Sequence, residues 1–144
     1  MFNSISHASI YVTDQDEALD FYVGKLGLEV RADVDMEVMR WLTIGAPGQD
    51  DFQILLEKPT SSFIDEESRG QIGSLLSKGA MGLGFILYTD DCRKTFDDLV
   101  AKGVEAIDEP TERFYGVDCA VRDPFGNHIR ITQPVAPEDF NPPS

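Results

Sequence analysis

Hydrophobic and polar positions along the chain fall into two passages built the same way. The first opens with the strand-like run His7-Ala8-Ser9-Ile10-Tyr11-Val12-Thr13-Asp14. A predicted helix over 16–25 follows, in which Ala18, Phe21, Tyr22 and Lys25 recur at helical spacing and give one face to lay on a sheet. The second opens with Gly84-Phe85-Ile86-Leu87-Tyr88-Thr89-Asp90 and continues into a predicted helix over 92–102, where Cys92, Phe96, Leu99 and Val100 repeat the spacing. Asp14, and Asp90 or Asp91, stand where a carboxylate can accept from the free amides of a helix start. Gly27 and Gly103 stand just past the helix ends, where a left-handed residue commonly closes a helix. Strand-like runs follow each glycine: 28–34, 40–44 and 52–58, then 104–107, 117–122 and 128–132. Asp14 to Asp90 is 90 − 14 = 76 positions, and Gly27 to Gly103 is 103 − 27 = 76, so the two passages match without a gap. The pattern predicts a duplicated strand-helix-three-strand module.

Module one spans about 4–58 and module two about 81–133, together forming a single domain over 1–134. Between them, 59–80 is read as a linker with a helix over 65–77, whose apolar side is Ile72, Leu75 and Leu76. Two roles are open for it: a lid, or a cover over an exposed sheet edge. The tail 135–144 carries three prolines, Pro137, Pro142 and Pro143, directly after Pro134, and is expected to be flexible.

Composition narrows the partners. Twelve Lys and Arg against 26 Asp and Glu give a net charge of −14, which repels nucleic acid and anionic lipid headgroups alike. No apolar run approaches the roughly 20 residues that span a bilayer. Cys92 and Cys119 lack the spacing of a metal knuckle or disulfide framework, so a reducing cytoplasm is the expected compartment.

Several residues in this frame resemble the vicinal oxygen chelate superfamily, which includes glyoxalase I, bleomycin and fosfomycin resistance proteins and extradiol dioxygenases. They are the His7 strand, Phe21-Tyr22 with Leu26-Gly27-Leu28, the segment from Asp90-Asp91 to Gly103-Val104-Glu105, and Asp123-Pro124-Phe125-Gly126-Asn127 before the last strand. The resemblance covers about 4–133. It implies an α+β fold in which two βαβββ modules form a curled mixed β-sheet around a cavity, and a homodimer.

It also implies metal ligands on the first and last strands of each module. His7 fits the first place, and Gln53 or Glu57 the second, with Gln53 favoured by matching Phe52-Gln53-Ile54 to Ile129-Arg130-Ile131. The third place, counted back seven residues from Asp90 or Asp91, falls on Leu83 or Gly84, and the fourth falls on Arg130. Neither leucine nor glycine binds metal through its side chain, and a guanidinium has no lone pair to donate. No metal or other cofactor is therefore expected. The alternative is Zn, Ni, Mn or Fe held by His7, Glu57 and His128.

A cation on the inward face of a central strand needs an anionic ligand or an internal carboxylate, for which Glu57 is the candidate. His7, Gln53 and His128 are candidates to line the cavity, or to complete their hydrogen bonds with backbone. Trp41 and Tyr115, with Phe114, are candidate stacking surfaces or core. Arg113 and Tyr115 belong to the stretch 112–117, read as a loop entering a strand at the cavity mouth. Cys119 is read as buried and unreactive. The expected function is a small-molecule-binding protein with a degenerate metal site, sequestering an organic ligand or acting on it without metal. Ligand contacts are expected from His7, Trp41, Gln53, Arg113, Tyr115, His128 and Arg130. A divalent-metal-dependent lyase or dioxygenase is the first alternative, and a non-catalytic interaction module the second.

Overall fold

A computed structural model describes residues 1–144. The chain divides into two compact units, 1–80 and 81–144. In the first, β1 (His7–Tyr11), α1 (Gln15–Leu19), β2 (Glu29–Asp35), β3 (Arg40–Gly45) and β4 (Gln53–Glu57) precede α2 (Glu66–Ser77). In the second, β5 (Leu83–Tyr88), α3 (Cys92–Ala101), β6 (Glu105–Arg113), β7 (Gly116–Arg122) and β8 (His128–Pro134) follow in the same arrangement. The first four-stranded sheet has the order β1-β4-β3-β2 and the second β5-β8-β7-β6. In each sheet the first strand runs parallel to the last, and the other pairs are antiparallel. The chain is thus α+β, with two mixed sheets of one topology.

The helix ends follow the expected chemistry. Asp14 caps α1 by accepting from the Glu17 amide at 2.9 Å, and Asp91, the second of the two candidate acids, caps α3 by accepting from Lys94 at 3.0 Å. Gly103 takes φ +84°, and the amide of Val104 reaches back to the Leu99 carbonyl at 3.1 Å. The first helix departs from the α pattern. After Leu19 it widens into a π-helical turn over Asp20–Lys25, with the Leu26 amide donating to the Phe21 carbonyl. Ala18, Phe21 and Tyr22 are still buried, so the widening keeps the expected face inward.

Alternation separates the two faces of each sheet. On β4, Ile54 and Leu56 are buried while Gln53, Leu55 and Glu57 are partly exposed. On β8, Ile129 and Ile131 are buried while His128 and Arg130 are partly exposed. Cys92, Phe96 and Leu99 of α3 are buried, whereas Val100, expected on the same face, is half exposed. Cys119 and Cys92 are both fully buried thiols, their sulfurs 3.4 Å apart and unbonded. Burial, followed by the neighbouring Cys92, pushes the Cys119 thiol up to about 12, which removes it as a nucleophile at neutral pH.

Two segments differ from expectation. Strand β6 continues to Arg113, so the loop expected over 112–117 shrinks to Phe114 and Tyr115. Pro110 sits inside β6 because that strand is the sheet edge and its pairing shifts between Asp108 and Thr111, where a missing amide costs no ladder bond. The tail contains a short 3-10 turn over Pro137–Asp139, and Phe140 rests 5.7 Å from the Phe114 ring.

The turn before β8 is held by one carboxylate. Asp123 Oδ1 accepts from the amides of Phe125, Gly126 and Asn127 at 3.0, 2.9 and 2.7 Å, and Asn127 Nδ2 donates to Oδ2 at 2.7 Å. Both side chains are buried, so removal of the carboxylate strands several donors without water. Asp123→Ala is expected to lower the unfolding free energy by about 2–4 kcal/mol, read as a reduced urea midpoint with unchanged slope.

Candidate functional site

The side of each sheet turned away from its helix carries the polar residues. In the first sheet, His7 lies directly beside Gln53 in the parallel register of β1 and β4. Gln53 Oε1 accepts from Thr43 Oγ1 at 2.6 Å, and Glu57 Oε1 accepts from Ser9 Oγ at 3.2 Å. The Trp41 ring lies 5.9 Å from the His7 ring, tilted by 60°. His7 Nδ1 is 2.7 Å from Ser6 Oγ. These contacts bring His7, Trp41 and Gln53 together on one surface, with Glu57 four residues beyond Gln53 on the same face of β4.

In the second sheet, Arg130 is the hub. Its Nε donates to Asp118 Oδ1 at 2.9 Å, and its Nη2 closes a second, short contact to the same oxygen. Nη1 donates to Asp108 Oδ2 at 3.2 Å and lies 3.1 Å from His128 Nε2. Since a guanidinium can only donate, His128 accepts through Nε2 and carries its proton on Nδ1. Thr132 Oγ1 donates to Asp118 Oδ2 at 2.9 Å. Asp118 is only 2% exposed, so a bare carboxylate there would be costly without this partner.

The electrostatics follow from that geometry. Burial raises the Asp118 carboxyl, but the hydrogen bonds from Arg130 and Thr132 outweigh it and hold the group below its ordinary 3.8. Arg130 is raised, chiefly by its hydrogen bond to Asp118. His128 is lowered, first by burial and then by the charges of Arg130 and Arg122, and is neutral at pH 7.

One expectation is corrected here. The carboxylate that answers Arg130 is Asp118, assisted by Asp108, and not Glu57, whose side chain accepts from Ser9 in the other unit. Asp118 reaches Arg130 because β7 and β8 are adjacent and antiparallel, and its pair partner Thr132 is two residues from Arg130 on one face. The neighbour of Arg130 on the parallel strand is Ile86, while Leu83 pairs with His128, because the register slips between Leu83 and Phe85. Ile86 offers no metal-binding atom either.

The other predicted residues are more dispersed. Tyr115 lies in the β6–β7 turn, edge-on to Phe114 at 5.2 Å, and Arg113 is exposed at the end of β6. Within the second module the donor chemistry does not fit a metal site, and within the first only two candidate donors, His7 and Gln53, stand side by side. In the second, Arg130 has no lone pair and the Nε2 lone pair of His128 is turned to it; in the first, His7 stands beside a neutral amide. No three His, Cys, Asp or Glu side chains converge on a point.

A family model described as the Glyoxalase/Bleomycin resistance protein/Dioxygenase superfamily matches residues 4–131. YurT of Bacillus subtilis, described as an uncharacterized protein, is 35% identical over 125 residues, covering 87% of this chain and 94% of YurT. The crystal structure of UcmS2 shares 34% identity and superposes with a TM-score of 0.84, covering 92% of this chain and 98% of that one. The crystal structure of TnmS3, an antibiotic binding protein from Streptomyces sp. CB03234, shares 28% identity with a TM-score of 0.73, over 93% and 98% of the two chains.

The ion pair gives a direct stability test. Arg130→Met leaves Asp118 buried and uncompensated, and is expected to cost about 3–5 kcal/mol at pH 7. Because the folded Asp118 pKa is depressed, its stabilisation is present above the unfolded value of 3.8 and fades as pH falls through the lower folded value. Without Arg130, burial raises the Asp118 carboxyl, so the gap between wild type and Arg130→Met in urea denaturation should begin to narrow above the ordinary 3.8 and go on narrowing as pH falls through the wild type's lower folded value. His128 acts in the same direction at higher pH: its depressed folded pKa makes the wild type lose stability on acidification below its ordinary 6.5, a slope that His128→Gln removes.

Proposed function

We propose that this chain, which belongs to the Glyoxalase/Bleomycin resistance protein/Dioxygenase superfamily, captures a small organic molecule and does so without a bound metal ion. The observation that carries the proposal is the Arg130–Asp118 pair, which occupies the place where metal-dependent relatives are expected to keep an acidic ligand. An arginine so paired is a fixed structural cation. It can orient its neighbours and donate a hydrogen bond, but it supplies no electron pair to zinc, nickel, manganese or iron.

The same geometry changes the class of ligand. Arg130 was expected to seize an anionic group, yet Asp118 and Asp108 together bring two negative charges to its one positive charge. A neutral or cationic ligand suits that cluster better than an anion, in keeping with a net charge of −14. Trp41, set beside His7, offers a ring face for a planar group, and Gln53 and His7 offer polar contacts on the same surface. The antibiotic-binding description of TnmS3 supports drug sequestration as the biological use. A homodimer and a cytoplasmic setting belong to the same proposal.

One observation favours a second reading. His7 and Gln53 sit side by side at the two first-module positions where family enzymes are expected to place ligands, as a metal-dependent lyase or dioxygenase requires. His128, needed to complete that set with Glu57, has its Nε2 lone pair committed to Arg130.

Metal analysis of protein purified without chelator separates the two, followed by addition of zinc, nickel, manganese and iron under thermal denaturation. Well under one equivalent of metal and no rise in melting temperature are expected; one tightly held equivalent overturns the sequestration reading. Trp41 is the chain's single tryptophan, so its fluorescence reports this surface alone. Saturable quenching by planar cationic antibiotics is expected, and Trp41→Phe should weaken their binding, by calorimetry, about tenfold.

A further inference from the structure

We infer that the first module carries a separate binding site for an amphipathic organic anion, at the end of β4 and under the start of the linker. A cavity of about 550 Å³ opens there, within the size range of small-molecule sites. Its wall is built from β4, the tip of the β2–β3 hairpin, the residue that opens α1, and the segment running from Lys58 to Arg69.

The charge of this cavity is opposite to that of the molecule. Arg40, Lys58 and Arg69 line it against one acid, Glu57, in a chain whose 12 Lys and Arg face 26 Asp and Glu. The three cations have different duties. Arg40 is a fixed wall: it donates to both oxygens of Asp33 at 2.8 and 2.9 Å and to Asp16 at 2.7 Å. Arg69 holds the linker in place, donating from Nε to the Ile64 carbonyl at 2.9 Å and from Nη2 to the Ser61 carbonyl at 3.0 Å. No carboxylate is in ion-pair contact with it, although the charge of Asp65 lies near enough to interact, and its Nη1 makes no hydrogen bond. Lys58 is exposed and makes no ion pair. Two cations are therefore free to meet an incoming anion, with the hydroxyls of Thr60 and Ser62 beside them.

The opposite wall is apolar and turned to solvent. Val38 is 94% exposed, Phe63 98% and Met39 38%, and all three line this one cavity. Large apolar side chains left this open around a concave surface mark a site that gains by covering them. An occupant with a carboxylate or phosphate head between Lys58 and Arg69, and a hydrocarbon or aromatic body against Val38, Met39 and Phe63, satisfies both halves. The floor is fixed in advance, because Gln15 Nε2 ties the carbonyls of Arg40 and Leu56 together at 3.0 and 2.9 Å. This site selects an anion, whereas the Arg130 cluster does not.

Isothermal titration of the full chain with octanoate, octyl phosphate and octylammonium tests the inference. Octanoate or octyl phosphate should bind and weaken as salt is raised, and octylammonium should not. Which anion binds tighter identifies the head group. Lys58→Gln should weaken the anion about tenfold, and Phe63→Ser should weaken it by a similar factor without altering the salt dependence. Both positions are exposed, so the melting temperature should stay unchanged. Equal binding of the amine, binding by none of the three probes, or an unchanged affinity in Lys58→Gln overturns the site.

Discussion

One ion pair organises the second module. Asp118 is buried on β7, and a carboxylate at 2% exposure survives only when its charge and its lone pairs are answered. Arg130 answers the charge with two donors and Thr132 answers the second oxygen, which fixes the pairing of β7 against β8 as well as the rotamer of the arginine. The consequences spread outward. His128 must accept from Arg130, which sets its tautomer and its lowered proton affinity, and Asp108 on the edge strand is drawn in to complete the cluster.

The fold was legible because it rests on short-range signals that repeat. Asp14 and Asp91 before the helices, and Gly27 and Gly103 after them, carry local meanings that hold in any tertiary setting. The equal spacing of these pairs exposed the duplication, and both sheets have the same strand order. What escaped was structure decided by the partner strand. The π-helical turn at Asp20–Lys25 keeps the same buried residues as an α-helix would, so the hydrophobic period could not reveal it. The extension of β6 through Pro110 depends on that strand being an edge, which no local pattern states.

The site was legible by half. Arg130 was recognisable as a cation on a central strand that needed an anionic ligand or a carboxylate, but the carboxylate offered was Glu57 and not Asp118. A signal for the right choice was present: Val117-Asp118-Cys119-Ala120-Val121 is an apolar strand interrupted by a single acid, and an acid in such a strand is seldom unpaired. Pairing it with Arg130 needed the antiparallel register, which sequence periodicity leaves open by two residues in either direction. The site in the first module escaped for a different reason. Lys58, Arg69, Val38 and Phe63 come from loops and element ends, and only the fold makes them neighbours.

Comparison of the modules shows how one geometry can host two chemistries. In the first, Thr43 pairs with Leu55 and its hydroxyl reaches diagonally to Gln53, two residues earlier on β4. In the second, Asp118 pairs with Thr132 and its carboxylate reaches diagonally to Arg130, two residues earlier on β8. The diagonal is the same, so Gln53 and Arg130 occupy equivalent places. One module fills it with a neutral hydrogen bond, and the other with a charge pair. A neutral diagonal can be traded for a metal ligand by changing one side chain. A buried charge pair resists that change, because removal of either member strands the other. The second module is therefore committed to its arginine, and an acidic side chain placed at Arg130 would need Asp118 to change with it.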